Sequence, residues 1–405
     1  MSRRTIGLLP QVSAAHLVSH FHIMAIPALL PLLPGRMNVG FVELGFALGL
    51  FNVVSALVQA PLGFAVDRFG PRKVLMSGLA LGSAGFLSLA IAPTYAWLLV
   101  VMILGGIANG VYHPADYALL SKGIDSKRMG RAFSIHTFSG YLGGAVAPAL
   151  LMAVAAFASL EGAFLVTALV GGLAMLVLWM PSTKVSVSPA APRATASLDS
   201  SWRLALAPMI LVLTLLFVLL NLSVSAIEKF SVSALVQGFD VPLSWANIAL
   251  TAFLFASALG VLAGGLLADR TRHHGFVAAG AFGAAAGVVA IVASVPLADG
   301  VIVVLLGIAG FLTGVIAPSR DMLVRAAAPV GAEGKTFGIV MTGFNIGGAV
   351  GPVMFGWLLD RGQFGGIFWA AVVFMLLTVV LTLGQEWRMQ FKRRAGFVAQ
   401  AGSEA

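Results

Sequence analysis

Residues 112–148, YHPADYALLSKGIDSKRMGRAFSIHTFSGYLGGAVAP, and residues 316–352, IAPSRDMLVRAAAPVGAEGKTFGIVMTGFNIGGAVGP, are two copies of one pattern. Pro114 matches Pro318, Gly130 matches Gly334, and Phe133 matches Phe337. Gly143-Gly144 matches Gly347-Gly348, and Pro148 matches Pro352. Each pair is 204 residues apart, without a gap. Glycine and proline are frequent here, but composition alone does not hold one register through five matches. Each copy is an apolar segment with a polar end, a short basic loop, and a Gly-rich apolar segment. Two such halves in one chain have the organisation of transporters built from parallel repeats.

Composition sets the solvent. Hydrophobic residues make up 59% of the 405 and charged residues 10%, against roughly 25% charged in soluble domains. So little charge cannot cover a soluble surface of this size. Long apolar runs that freely contain Gly and Pro indicate helices, not the alternating strands of a barrel. The fold class expected is an all-α polytopic membrane protein of two six-helix bundles. The net charge of +9 fits basic cytoplasmic loops, not a nucleic-acid partner. There is no cysteine, which excludes disulfides, thiolate catalysis and cysteine metal sites. The first apolar segment reads as a retained helix.

Apolar runs of spanning length fall at 11–34, 41–64, 74–92, 96–119, 132–157 and 162–181. A second six fall at 204–228, 244–267, 276–295, 301–325, 336–358 and 364–385. The domains expected are 1–181, a cytoplasmic Ser/Pro/Ala-rich linker at 182–203, 204–385, and a polar tail at 386–405. With both termini cytoplasmic, 20 of the 24 Lys and Arg fall in inner loops. Arg36 and Arg361 fall outside, Lys229 at the outer end of helix 7, and Arg320 within helix 10. That asymmetry sets the orientation. A bacterial inner membrane is the location expected.

Between helices 2 and 3 stands Gly63-Phe-Ala-Val-Asp67-Arg68-Phe-Gly70-Pro-Arg72-Lys73. Gly63 is expected to permit close packing and Gly70 the turn. Asp67 can accept from a helix N-terminus, and the basic residues hold the loop inside. A reduced copy, Gly265-Leu-Leu-Ala-Asp269-Arg270, ends helix 8. The string resembles the loop 2–3 signature of the major facilitator superfamily, and with six-plus-six helices the resemblance covers the chain. It implies two bundles around a cavity lined by helices 1, 4, 7 and 10, with alternating access. It also implies a conformational role for Gly63, Asp67, Arg68, Gly70, Arg72, Asp269 and Arg270. Helix 5, Gly143 to Met152, partly resembles the family's antiporter signature, with Ala147, Leu151 and Met152 departing from it. Small-residue helix packing explains the same string. Family drug–proton antiporters carry an Arg in helix 4, where this chain has Gly106 before Asn109-Gly110.

Polar groups within the spans are functional candidates because burying them is costly. They are His16 and His20 in helix 1; Asn109, His113 and Asp116 in helix 4; His136 in helix 5; Asn221 in helix 7; Arg320 and Asp321 in helix 10. His16 and His20 share a face, as do Asn109, His113 and Asp116. Asp116 assisted by His113 is expected to carry the coupling proton. Asp116 and Arg320 are repeat mates, expected to meet at an inner gate in the outward-facing state and to part in the inward-facing one. His22 and His136 read as helix–helix hydrogen-bond partners, and Glu228-Lys229 either as interfacial or as site residues.

No nucleophile–base constellation or nucleotide loop is visible, so no enzyme activity, cofactor or resident metal is expected. The reading is a monomeric secondary transporter with a small-molecule substrate, protons and the bilayer as its partners. His16-Leu-Val-Ser-His20, Pro27-x3-Pro31 and Tyr112-His113-Pro114 resemble the fosmidomycin-resistance branch of the superfamily. That resemblance implies proton-driven export of a small anionic drug or metabolite. Two alternatives stay open: proton symport of an organic acid with Arg320 as anion clamp, and export of a transition metal or its chelate.

Overall fold

The computed structural model describes residues 6–124, 129–181, 206–271, 273–328 and 333–401. Twelve helices are long and apolar enough to cross a membrane. They are α1 (Leu8–Leu29), α2 (Phe41–Phe69), α3 (Pro71–Ile91), α4 (Tyr95–Gly123), α5 (Met129–Phe157) and α6 (Leu160–Trp179). The second half holds α7 (Pro208–Gly238), α8 (Leu243–Arg270), α9 (His274–Ser294), α10 (Asp299–Ala327), α11 (Glu333–Asp360) and α12 (Gly365–Ala401). A 3₁₀ turn and a short helix, Leu33–Met37, extend α1. In lipid each backbone group must be satisfied within the chain, so helices are the available solution. Thr94 and Ser159 cap α4 and α6, accepting from Trp97 N and Gly162 N. The linker expected at 182–203 lies outside the described residues.

Two expected ends move. The span read as 204–228 continues to Gly238, so Glu228 and Lys229 are not at a helix end. The charged pair looked like a terminus, but Phe230, Ser231, Val232, Ser233 and Ala234 beyond it are all buried. The expected polar tail after 385 continues α12 as helix to Ala401.

Glycine contacts show the repeat in three dimensions. Gly143 of α5 lies against the Leu17 carbonyl of α1, and 204 residues on Gly347 of α11 lies against Asn221 of α7. Gly106 and Gly110 seat α4 against Phe51 and Val58 of α2, while their mates Gly310 and Gly314 seat α10 against Phe253 and Ser257 of α8. A Cβ on Gly106 would stand 2.7 Å from the Phe51 carbonyl oxygen. The family arginine cannot be placed there without parting α4 from α2.

The halves join through α5 with α8 and α2 with α11. Gly45 abuts the Pro352 carbonyl, Gly49 the Ala349 carbonyl, and Gly356 the Phe41 carbonyl. Asp360, the last residue of α11, accepts from Phe41 N (2.7 Å) and Val42 N (2.8 Å) at the start of α2. A carboxylate there satisfies orphan amides and meets the positive end of the helix dipole. The halves are therefore shut at the end where α2 begins, which the charge count assigns to the outside.

At the other end, Gly70 (φ +91°) ends α2 and precedes Pro71 at the first position of α3, the turn expected of it. Arg72 does more than hold the loop inside. It donates to the carbonyls of Leu178 (2.7 Å) and Met180 (3.2 Å) at the end of α6, and to Gln11 Oε1 (2.8 Å). Gln11 in turn donates to the Val177 and Met180 carbonyls. One guanidinium thus ties α3, α6 and α1 together. Arg72→Ala is expected to cost about 1–2 kcal/mol for a part-buried charged donor and to lower the melting temperature in detergent; an unchanged melting temperature would refute this role. Gly63 is a correction: open space surrounds the Cβ position there, as at Gly265. Neither glycine permits a close contact in this state.

Candidate functional site

In the first half, α1, α4 and α5 bring five polar side chains together. His16 Nδ1 lies 3.4 Å from Asp116 Oδ2, and His136 Nε2 lies 3.6 Å from the same oxygen. The His16 and His136 rings stack at 3.9 Å, with His20 at 4.8 Å and His113 at 5.6 Å from His16. Asp116, His16 and His136 are all buried, Asp116 completely. Gly140 of α5 makes the room: a Cβ there would fall 2.7 Å from His16 and 2.8 Å from His20. The expected pairing of Asp116 with His113 is not what forms. Its ion-pair neighbours are His16 and His136, because the turn of α4 that carries Asp116 faces α1 and α5. His136 is thus more than a packing partner, whereas His22 is one, with Nε2 3.1 Å from the Thr167 carbonyl.

Above this cluster is a cavity lined by α1 to α4 and by one residue of α7. His22, Phe51, Asn52, Asn109, Tyr112 and Lys229 are among its walls. Its lining is mostly apolar, and Lys229 is the basic side chain that α7 adds to it. Asn109 donates to Ser55 Oγ at 2.8 Å, so it braces α4 on α2 as well as lining the cavity. The Tyr112 hydroxyl is buried without a hydrogen-bond partner. Glu228, beside Lys229 on α7, interacts electrostatically with it.

Arg320 is held flat in the second half. Its guanidinium carbon sits 5.0 Å from the Phe217 ring and 5.1 Å from the Phe344 ring. Its Nε donates to Asp321 Oδ1 at 2.9 Å. Tyr141 of α5 lies in electrostatic range of Arg320, Glu228 and Asp321. Asp116 and Arg320 each have their ion-pair partners in their own half; the expected gate pair is not formed in this state. Asn221 stands against Gly347, its Oδ1 unpartnered. Asp67 and Arg68 are exposed at the C-terminal end of α2, Arg68 lying over Phe69, and Arg270 ends α8. The Asp269 side chain lies outside the described residues.

The family model of the Major Facilitator Superfamily matches residues 12–246 and 227–395. The chain belongs to the major facilitator superfamily. It is a transporter, not an enzyme. Among similar proteins is the Fosmidomycin resistance protein of Escherichia coli, 25% identical over 89% of this chain and 88% of that one. Another is the Probable sulfoacetate transporter SauU of Cupriavidus necator, 27% identical over 82% of each. A bacterial homolog of the human lysosomal transporter Spinster, in an inward-facing and occupied conformation, superposes with a TM-score of 0.75. It is 14% identical, covering 94% of this chain and 96% of that one, and shows the shared fold.

This superfamily member thus has a cavity whose basic residue, Lys229, was not among the leading candidates read from the sequence. The signal was present: an adjacent acid–base pair inside an apolar run. Phe51 and Asn52 carried none, being ordinary residues of an apolar helix.

Proposed function

We propose that this transporter carries a small organic anion together with a proton by alternating access. The observation that supports it is Lys229: the basic side chain that α7 adds to a mostly apolar cavity with walls made by α1–α4. Such a cavity suits a carboxylate, phosphonate or sulfonate with a small apolar body, with Tyr112 as a further donor. Contacts from both halves couple occupancy to their movement, since a ligand shifts an equilibrium by its differential affinity.

The coupling proton, expected on Asp116 from the sequence, is assigned to Glu228 in this reading. Glu228 interacts electrostatically with Lys229 next to it in the chain and with Tyr141 on α5, which also interacts with Arg320 and Asp321. An anion that takes up Lys229 leaves Glu228 beside a like charge, which favours proton uptake. Anion and proton then bind together, which is symport. Export in exchange for protons is the second reading, favoured by the likeness to the Fosmidomycin resistance protein. Proteoliposomes loaded with small organic anions decide between them. Symport gives accumulation when the outside is acid and none when it is alkaline. Accumulation only with the opposite gradient would sink the symport reading. No response to any carboxylate, phosphonate or sulfonate would sink both.

A further inference from the structure

We propose that His16, His136 and Asp116 form a binding site for a first-row divalent transition ion of the zinc class. It goes beyond the cargo site, which is built on Lys229. Three imidazole or carboxylate donors, one from each side chain, lie within 4.8 Å of one another. The two separations from Asp116 Oδ2, 3.4 and 3.6 Å, match a tetrahedron edge. Bonds of roughly 2.0–2.2 Å to one ion put neighbouring ligand atoms roughly 3.3–3.6 Å apart.

The atoms have no other occupation. Asp116 Oδ1 and Oδ2, His16 Nδ1, and both nitrogens of His136 are buried without a hydrogen bond. Buried polar atoms in native proteins nearly always have partners, and an orphaned set points to an ion or water. Asp116 has no Lys or Arg against it among the described residues; its ion-pair partners are the two imidazoles. A divalent ion would balance that carboxylate and satisfy several orphans at once.

The fold does not require this set. The residues 204 positions after His16, His113 and His136 are Leu220, Ala317 and Val340, all buried and apolar. Gly140, which admits His16 and His20, has Phe344 as its mate. Asp116 itself is matched by Arg320, so what the second half lacks, and the first half has acquired, is the set of histidines. Two imidazoles and one carboxylate select zinc, cobalt or nickel over magnesium and calcium, which take oxygen ligands. The stacked rings lie 25° apart, so a small ring rotation must turn their lone pairs onto one point. His113 lies further out, its ring 5.6 Å from that of His16, which leaves the fourth position to water. An ion bound there links α1, α4 and α5.

The test uses the full-length protein, stripped with chelator, in detergent. Titrated with Zn²⁺ by calorimetry, it is expected to bind one equivalent, with Mg²⁺ giving no heat. Co²⁺ is expected to give visible bands of a low-coordinate N/O site. Asp116→Asn and His136→Gln should each weaken Zn²⁺ binding by at least about 100-fold, while His273→Ala, at the α8–α9 loop, leaves it unchanged. X-ray absorption on the zinc-loaded wild type should show two imidazoles and no sulfur, a readout that needs no variant to fold. No binding to wild type, affinity unchanged in folded Asp116→Asn, or a zinc shell without two imidazoles would each overturn the site. The first outcome would leave the cluster with protons and water alone.

Discussion

Glu228→Gln keeps anion exchange and loses accumulation driven by a pH gradient. The amide is neutral at every pH, so it mimics the protonated carboxylate and leaves Lys229 free for the anion. Exchange between equal anion pools needs no proton and should persist. The companion variant, Lys229→Gln, removes the cation instead. Truncating one member of a buried charge pair costs about 2–5 kcal/mol, and every 1.4 kcal/mol is about tenfold. An affinity loss of about 100-fold is therefore expected for that variant. Both are read in the same proteoliposomes, by counterflow for exchange and by an imposed gradient for accumulation. Undiminished gradient-driven accumulation in Glu228→Gln would remove the proton from Glu228. Unchanged anion affinity in Lys229→Gln would remove the cargo from the cavity.

Gly45→Leu abolishes transport, whereas Gly63→Leu is close to silent. At Gly45 the Cβ position already overlaps the Pro352 carbonyl; Gly49 of α2 likewise abuts the Ala349 carbonyl of α11, and Gly356 of α11 the Phe41 carbonyl of α2. Backbone cannot give way as a side chain can, so a leucine there holds α2 off α11. The Asp360 cap on Phe41 and Val42 is then out of reach. The end at which α2 begins can no longer shut, and the cycle stops with that side open. Turnover is expected to fall at least about 100-fold, since closing is obligatory in alternating access. The absence of native cysteine makes a single Ala349→Cys a clean reporter. In the Gly45→Leu background it should react with an impermeant thiol reagent applied outside, and without that change it should be protected. At Gly63, where nothing stands within 4 Å, a leucine meets open space. Normal turnover in Gly45→Leu would mean that the α2–α11 contact is not part of the cycle.

Much of the architecture was legible without coordinates. Low charge, twelve apolar runs and a 204-residue repeat suffice for twelve helices in two related halves, because lipid leaves the backbone no other arrangement of these segments. The turn at Gly70 was legible because a positive φ before a proline requires glycine. That His16 and His20 share a face followed from helical periodicity, and a hydrogen-bonding role for His22 from the cost of burying an unpaired imidazole. What periodicity does not hold is which helix stands opposite. Gly63 and Gly45 are alike in sequence, yet one faces space and the other a carbonyl. Glu228-Lys229 looked like a helix end because charge is costly in a membrane; the helix instead runs on to Gly238, and the pair is half-buried among its neighbours. Asp116 has a histidine three positions before it on its own helix, yet its ion-pair neighbours come from α1 and α5. Local sequence determined the helices and their number. Tertiary packing decided the partners of each polar group, because contacts between residues a hundred or more apart depend on how helices rotate and cross, and no local pattern records that.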